Sequence, residues 1–212
     1  MTLQPVALPP LAYYPLTPER WPDLEALFGP RGACMGCWCM YWRLKRSQFN
    51  RQLGEGNRQA LRAMVEAGQV PGILAYARAQ PVAWCSVGPR EAYPTLDRSP
   101  LLKRVDEQPV WSVVCFFVAP AFRRRGLLVP LLLAAVEYAR ARGASIVEGY
   151  PDAEPPRTWS GSAGYMGLLS TFQQVGFVEA LRRSPRRPIM RWYGSLAPSE
   201  RGSESVLSGA KE

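Results

Sequence analysis

The chain predicts an α/β fold, and three observations carry that expectation. Apolar residues recur at helical spacing in separate stretches, and short apolar runs of strand length lie between them. Two of those runs, residues 71–77 and 81–87, are joined by Arg78, Ala79 and Gln80, the short connection of a hairpin. A third run, residues 110–118, is almost continuously apolar and reads as a fully buried central strand. With 212 residues and 47% hydrophobic content, the chain can bury one sizeable core, most simply as a single domain.

Each element can be justified in order. Residues 11–16 read as a first strand. Thr17, Pro18 and Glu19 then give a helix start, with N-cap, proline in the first turn and early acid, and Trp21, Leu24, Leu27 and Phe28 follow at helical spacing. Residues 29–32, Gly-Pro-Arg-Gly, break that helix and open a Cys/Trp/Met/Tyr-rich segment at 34–42. Residues 57–67 form a second helix with Leu61, Met64 and Val65 on one side, ended by Gly68. After the hairpin, a polar, proline-containing excursion covers 88–108. Beyond the central strand lie a helix at 131–142, closed by Gly143, and a strand at 145–150. A Pro/Ser/Gly-rich loop follows at 151–164, then a short helix at 166–175 and strands at 177–182 and 189–193. Residues 196–212 are polar and Ser/Gly-rich, which predicts a disordered tail after a domain spanning 1–195.

The most informative segment joins the central strand to the next helix. It contains Arg123, Arg124, Arg125, Gly126, Leu127 and Leu128. The first N–H groups of a helix have no internal partners, and the helix dipole puts partial positive charge beside them. Gly126 allows close backbone approach, and the three arginines add fixed charge. This turn predicts a phosphate-bearing ligand.

These residues resemble motif A of the GNAT superfamily of acyl-CoA-dependent N-acyltransferases, Arg/Gln-x-x-Gly-x-Gly/Ala after a strand ending in Val-x-Pro. Arg123, Gly126 and the lead-in Val118 to Pro120 match, whereas Leu128 stands where a small residue is usual, so its side chain is expected to turn into the helix–sheet contact. The order of elements from Leu11 to Tyr193 is similar to that family's, and Gln173-Gln174-Val175-Gly176-Phe177 resembles its helix-to-strand corner. The resemblance implies a mixed, mostly antiparallel sheet of six to seven strands, splayed at the cofactor site and flanked by about four helices. It also implies acetyl-CoA as co-substrate and direct attack of an amine on the thioester.

Aligned on that motif, the backbones of Phe116, Phe117 and Val118 would bond pantetheine, and the turn from Arg123 to Leu128 would hold the pyrophosphate. An N–H near Val118 could polarise the acyl carbonyl. Many relatives carry a tyrosine, as thiolate proton donor, where this chain has Phe172; Phe172 is then a cofactor neighbour, and Tyr165 is the candidate acid. Some relatives place a carboxylate base where this chain has Ser112. With no histidine, Glu148 and Asp152 are the acids near the cleft, and alternation puts Glu148 on one strand face with Ile146 and Tyr150. Glu148 is the candidate base, and its bland alternative is an ordinary ion pair. Trp38, Met40, Trp42 and Tyr150 are the candidate acceptor contacts, although Trp38, Met40 and Trp42 could equally form a satellite core.

Composition bounds the rest. The net charge of +9 invites a nucleic-acid reading, but an anionic cofactor and two arginine clusters, at 123–125 and 182–187, account for much of the excess. No run approaches the ~20 apolar residues of a membrane span, and the first residues lack a signal-peptide pattern, so a cytoplasmic protein, monomer or homodimer, is expected. Cys34, Cys37 and Cys39 look metal-like, but Cys85 and Cys115 are isolated in strands and no second pair matches, so no metal is expected. The acceptor expected is a small amine or amino-acid-like molecule. An acyl-CoA-sensing domain without turnover and a basic nucleic-acid-binding protein are the alternatives.

Overall fold

The computed structural model describes residues 10–154 and 164–194. The tail expected beyond 195 and most of the 151–164 loop lie outside those residues. The described chain runs β1 (Leu11–Pro15), α1 (Trp21–Phe28), α2 (Arg46–Arg51), α3 (Glu55–Glu66), β2 (Gly72–Ala77), β3 (Gln80–Pro89), β4 (Trp111–Val118), α4 (Leu128–Arg140), β5 (Ile146–Gly149), α5 (Leu169–Gln174), β6 (Val178–Arg182) and β7 (Pro188–Tyr193). Seven strands form one sheet in the order β1-β2-β3-β4-β5-β7-β6. Neighbours are antiparallel except β4 and β5, which are parallel.

Two apolar layers sandwich the centre of the sheet. On one face α4 lays Leu131, Leu132, Ala135, Val136 and Ala139 against residues such as Cys85, Val113 and Phe116. On the other, Trp21, Leu24, Leu61 and Val65 from α1 and α3 cover Leu74, Tyr76 and Trp84. Because both faces are covered, β2 is buried at all six positions, and its sequence shows a continuous apolar run rather than alternation. α3 is amphipathic, with Arg62–Glu66 and Arg58–Glu55 pairs on its wet side.

Helix boundaries moved from their expected places for identifiable reasons. α4 begins at Leu128 rather than 131, because Pro130 falls in the first turn, where no N–H is needed. α5 begins at Leu169 rather than 166, since Gly167 is left-handed (φ 84°) and Leu168 is extended. α2 was not anticipated; its six residues are polar apart from Phe49 and carry no apolar period.

Candidate active site

β4 and β5 pair only at Trp111–Val147, Ser112–Glu148 and Val113–Gly149, after which they diverge. A register shift opposite Ser86 and Val87 leaves Val114 as an extra residue on β4, a bulge at the point of divergence. Beyond it the strand carries Cys115 to Val118 along an opened edge and then enters the arginine turn.

The turn is exposed and has the backbone form expected of an anion cradle. Arg124 and Gly126 are left-handed (φ 60° and 77°), and Leu127 caps α4 with no side-chain hydrogen bond at the cap. The early amides of α4 therefore face outward, less the one that Pro130 lacks. The Arg123 Nε donates to the Val118 carbonyl at 3.0 Å, and the Arg123 and Arg125 guanidiniums lie near the Phe117 and Phe122 rings. Leu127 is buried, and Leu128 packs on the core shared by α4 and the sheet, so the bulky residue at the small-residue position turns inward.

The gap between β4 and β5 holds part of the chain itself. The Phe116 N–H donates to the Tyr165 carbonyl at 2.6 Å, and the Asp152 N–H donates to the Gly167 carbonyl at 2.9 Å. Asp152 and Leu168 form a parallel bridge, and the Leu169 N–H returns to the Asp152 carbonyl at 2.9 Å. Residues 165–168 thus lie as a short extra strand between Phe116 and the continuation of β5. Gly167 fits tightly, because a Cβ there would stand 3.0 Å from the Phe172 ring and 3.1 Å from the Phe116 ring. Arg187 ties the arrangement down, reaching the Tyr150 carbonyl at 2.9 Å and Asp152 at 2.5 Å.

Several expected site residues are used differently. Glu148 is no free base: at 1% exposure it lies between the Arg90 guanidinium (3.3 Å) and the Arg191 guanidinium (2.9 Å), and it accepts from Tyr150 at 3.1 Å. Tyr150 is fully buried, held by Arg90, Ser112 and Glu148, and is not an acceptor contact. Phe172 is fully buried against Gly149, Phe116 and Phe177, and Gly167 of the segment that fills the gap covers its ring. Trp38 and Met40 are buried in the layer under α1 and α3, with Trp38 stacked on Trp21, and take the satellite-core alternative. Phe117 also turns away: its ring packs on Phe28, and its amide faces β3, as alternation from the Ala119–Val82 bond requires.

What remains at the acceptor side is a half-buried aromatic group. The Tyr41 ring meets Trp42 at 4.8 Å and Tyr165 at 6.3 Å, and Arg46 stacks on Tyr41. Burial pushes the Tyr165 phenol up, and the nearby Tyr41 adds to the shift. Two open surface concavities lie elsewhere, about 560 Å³ between the end of α4 and Gly194 and about 700 Å³ between α1 and α3.

Among the described residues no three His, Cys, Asp or Glu side chains group as metal ligands. Cys37 donates to the Gly32 carbonyl, and Cys39 faces Cys115. The purified protein is accordingly expected to carry no stoichiometric zinc, which elemental analysis checks; one zinc per chain, lost together with the fold on chelation, would reverse the assignment.

Comparison with known proteins places this geometry. The model of the Acetyltransferase (GNAT) family matches residues 38–154, more than half of the chain, and the chain belongs to that family. A GNAT-family acetyltransferase from Listeria monocytogenes has the same fold, with a TM-score of 0.53 and 10% identity over 86% of this chain and 94% of that one. A GNAT-family protein from Desulfovibrio desulfuricans gives 0.50 and 13% identity over 88% of this chain and 100% of that one. PaiA N-acetyltransferase from Thermoplasma acidophilum, in complex with coenzyme A, gives 0.49 and 12% identity over 87% and 99%. A search of curated sequences returns no match. The protein is thus an acyltransferase of the GNAT type.

Proposed function

We propose that the chain transfers an acetyl group from acetyl-CoA to the primary amine of a small molecule, acting as one domain over 1–195, in the cytoplasm, as a monomer or homodimer. The observation that carries the reading is the opened edge of β4 running into a left-handed arginine turn and a helix start. The pyrophosphate would lie on the amides from Arg124 to Leu128, and pantetheine along Phe116 and Val118, where the Phe116 N–H faces the gap. That amide is the donor a thioester carbonyl would take, polarising it for attack. Nucleic-acid binding is disfavoured because three of the four arginines in the second cluster are engaged within the chain. Arg182 pairs with Glu179, Arg183 reaches the carbonyls of Leu101, Lys103 and Arg104, and Arg187 pairs with Asp152.

The Tyr165 carbonyl now sits where the thioester oxygen would be, so cofactor entry has to draw residues 165–168 back from Phe116. A ligand that binds only the opened state loses apparent affinity in proportion to the closed fraction. Gly167→Val should strain the docked segment, through its left-handed φ and its contacts with Phe116 and Phe172, by about 1–2 kcal/mol, equivalent to roughly tenfold tighter apparent CoA binding. Titration calorimetry of both proteins with CoA checks this, and weaker binding by the variant would show that the segment supports the site. Mass spectrometry tests the acceptor class: incubation of acetyl-CoA with a panel of primary amines gives acetylated product and free CoA, and binding without any acetylated amine would overturn it.

A further inference from the structure

The site lacks an obvious acceptor of the amine's proton. There is no histidine, Ser112 is buried on Tyr150, Glu148 is held between two arginines, and Asp152 is paired with Arg187. A pair of thiols includes a residue of the opened strand itself, Cys115. The β4 bulge turns Cys115, the residue before the Phe116 amide, onto the face that meets the 34–44 segment. The Cys115 Sγ lies 3.4 Å from the Cys39 Sγ, and the Trp84 indole N–H donates to the Cys39 Sγ at 3.1 Å. Cys39 reaches this position in a left-handed conformation (φ 54°), as does Trp38 (φ 43°), a strain that surrounding packing must hold.

A second observation bears on the charge of this pair. Arg43 is buried, and its guanidinium bonds only neutral oxygens among the described residues: the Pro71 carbonyl at 3.0 Å, the Ala92 carbonyl at 3.5 Å, the Tyr93 hydroxyl at 2.9 Å and the Ser86 hydroxyl at 3.4 Å, with the Tyr93 ring against it. Its Nε has no hydrogen-bond partner among the described residues, and no carboxylate pairs with it there. A buried cation requires a compensating anion nearby. Ser86, which Arg43 bonds, stands opposite Cys115 across β3 and β4, and a thiolate at Cys39, against Cys115, supplies an anion on that side.

We propose that Cys39 and Cys115 form a thiolate–thiol relay that takes the proton from the acceptor's ammonium group, a role that rests on the transferase reading above. The ammonium N–H bond breaks toward the Cys115 sulfur as the Cys115 S–H proton passes to the Cys39 thiolate. The neutral amine attacks the thioester carbon; the C–N bond forms, the C–S bond breaks, and the nitrogen's surplus proton goes to the departing CoA thiolate. Cys39 then returns its proton to solvent through Cys115. The hydrogen bond shared with Cys115, the Trp84 N–H and the Arg43 charge all lower the Cys39 thiol against the opposing effect of burial, whereas the same bond and burial hold Cys115 well above the ordinary range. Cys37, pushed up to about 11 by burial, lies beside the pair as a neutral thiol, Cys85, raised by burial, stays neutral on the opposite, α4 face of the sheet, and Tyr165 adds a neutral phenol.

The test is iodoacetamide labelling of the intact protein against pH, read peptide by peptide by mass spectrometry, with no cofactor present. Cys39 and Cys115 share one proton, so the more exposed Cys115 reports the first ionisation of the pair rather than its own: labelling there should have a midpoint below the ordinary thiol value of about 8.5, and Arg43→Gln should move that midpoint upward. A wild-type midpoint at or above the ordinary value overturns the relay, whatever the fate of the transferase reading and whether or not the variant folds. In the second arm, saturating acetyl-CoA should slow Cys115 labelling at least tenfold; binding seen by calorimetry without protection also overturns the relay. No heat of acetyl-CoA binding would instead overturn the transferase reading, and the relay with it. On any amine found to be acetylated, Cys115→Ser should lower kcat/KM by about a hundredfold and shift the acid limb of its pH profile, the scale of a lost general base. A parallel drop with the acid limb unmoved would mark Cys115 as structural only.

Discussion

Gly126→Glu is expected to weaken CoA binding by about a hundredfold or more, roughly 2.7 kcal/mol, while leaving the domain folded. The two halves of that expectation have separate causes. Gly126 is exposed, and a Cβ built on it meets nothing within 4 Å, so the core gains no clash. Its φ of 77° makes any side chain strained by about 1–2 kcal/mol, a local effect at the lip of the turn. The carboxylate, however, would stand among amides aimed at an anion, beside the start of the α4 dipole, and would take the place meant for the pyrophosphate. Gly126→Ala separates the two contributions, since it carries the strain without the charge, and should lose far less affinity. Calorimetric titration with CoA, alongside circular-dichroism melts of all three proteins, makes the measurement. Wild-type affinity in Gly126→Glu would remove the arginine turn from the cofactor site.

That turn was legible in the sequence because its information is local. A strand ending at Val118, a glycine and a helix start lie within about a dozen residues, and each carries its own backbone requirement. The inward turn of Leu128 could be reasoned out for the same reason. The acceptor side was not legible, because its determinants are far apart in the chain. Trp38 and Met40 read equally well as cleft residues or as a satellite core, and only α1 and α3, closing over them, decide for the core. Phe172 followed the family's alignment, but Gly149 and Gly167 leave room only for a packed ring. Cys39 and Cys115 are 76 residues apart, and only the bulge at Val114 brings the second to the first. The 2.6 Å bond from Phe116 to Tyr165 has no signal in either residue's own surroundings, and Gly167 was the one hint that the backbone there does not enter α5 directly.

Glu148 takes the ion-pair alternative, for an instructive reason. Strand alternation placed it correctly on a face with Tyr150, but alternation says nothing about the neighbouring strand. Ser112, Glu148 and Arg191 stand opposite one another across β4, β5 and β7, and Arg90 closes the row from the end of β3. Arg191 also holds Asp106 through two bonds of 2.6 and 2.9 Å, and Arg90 holds Asp97 at 2.7 Å. The row fixes the strands just below the point where β4 and β5 part, so the width of the gap rests on it.

Removing the central anion should therefore be among the most damaging single changes in the protein. Glu148→Ala leaves two buried guanidiniums without their shared partner, and breaking a buried pair from one side destabilises by about 3–5 kcal/mol. Asp106 and Asp97 are half-exposed and can take over only part of the charge. Arg62→Ala, which removes an exposed pair on α3, should change stability by under about 1 kcal/mol and serves as the control. The pH dependence follows from Asp106, whose carboxyl is held down at about 2 chiefly by its hydrogen bonds from Arg191. Its ordinary unfolded value is about 3.9. The stabilisation from that contact is thus complete above the unfolded value and is lost as the pH falls through the folded one. Asp106→Asn should flatten the acid limb of the stability curve between about pH 4 and 2, with a much smaller loss near neutrality than Glu148→Ala. Urea titrations of the four proteins at pH 7, and of the Asp106→Asn and wild-type pair down to pH 3, supply the comparison. A Glu148→Ala midpoint within the scatter of the Arg62→Ala control would mean that the buried row contributes nothing net, and that the separation of β4 and β5 is set by packing alone.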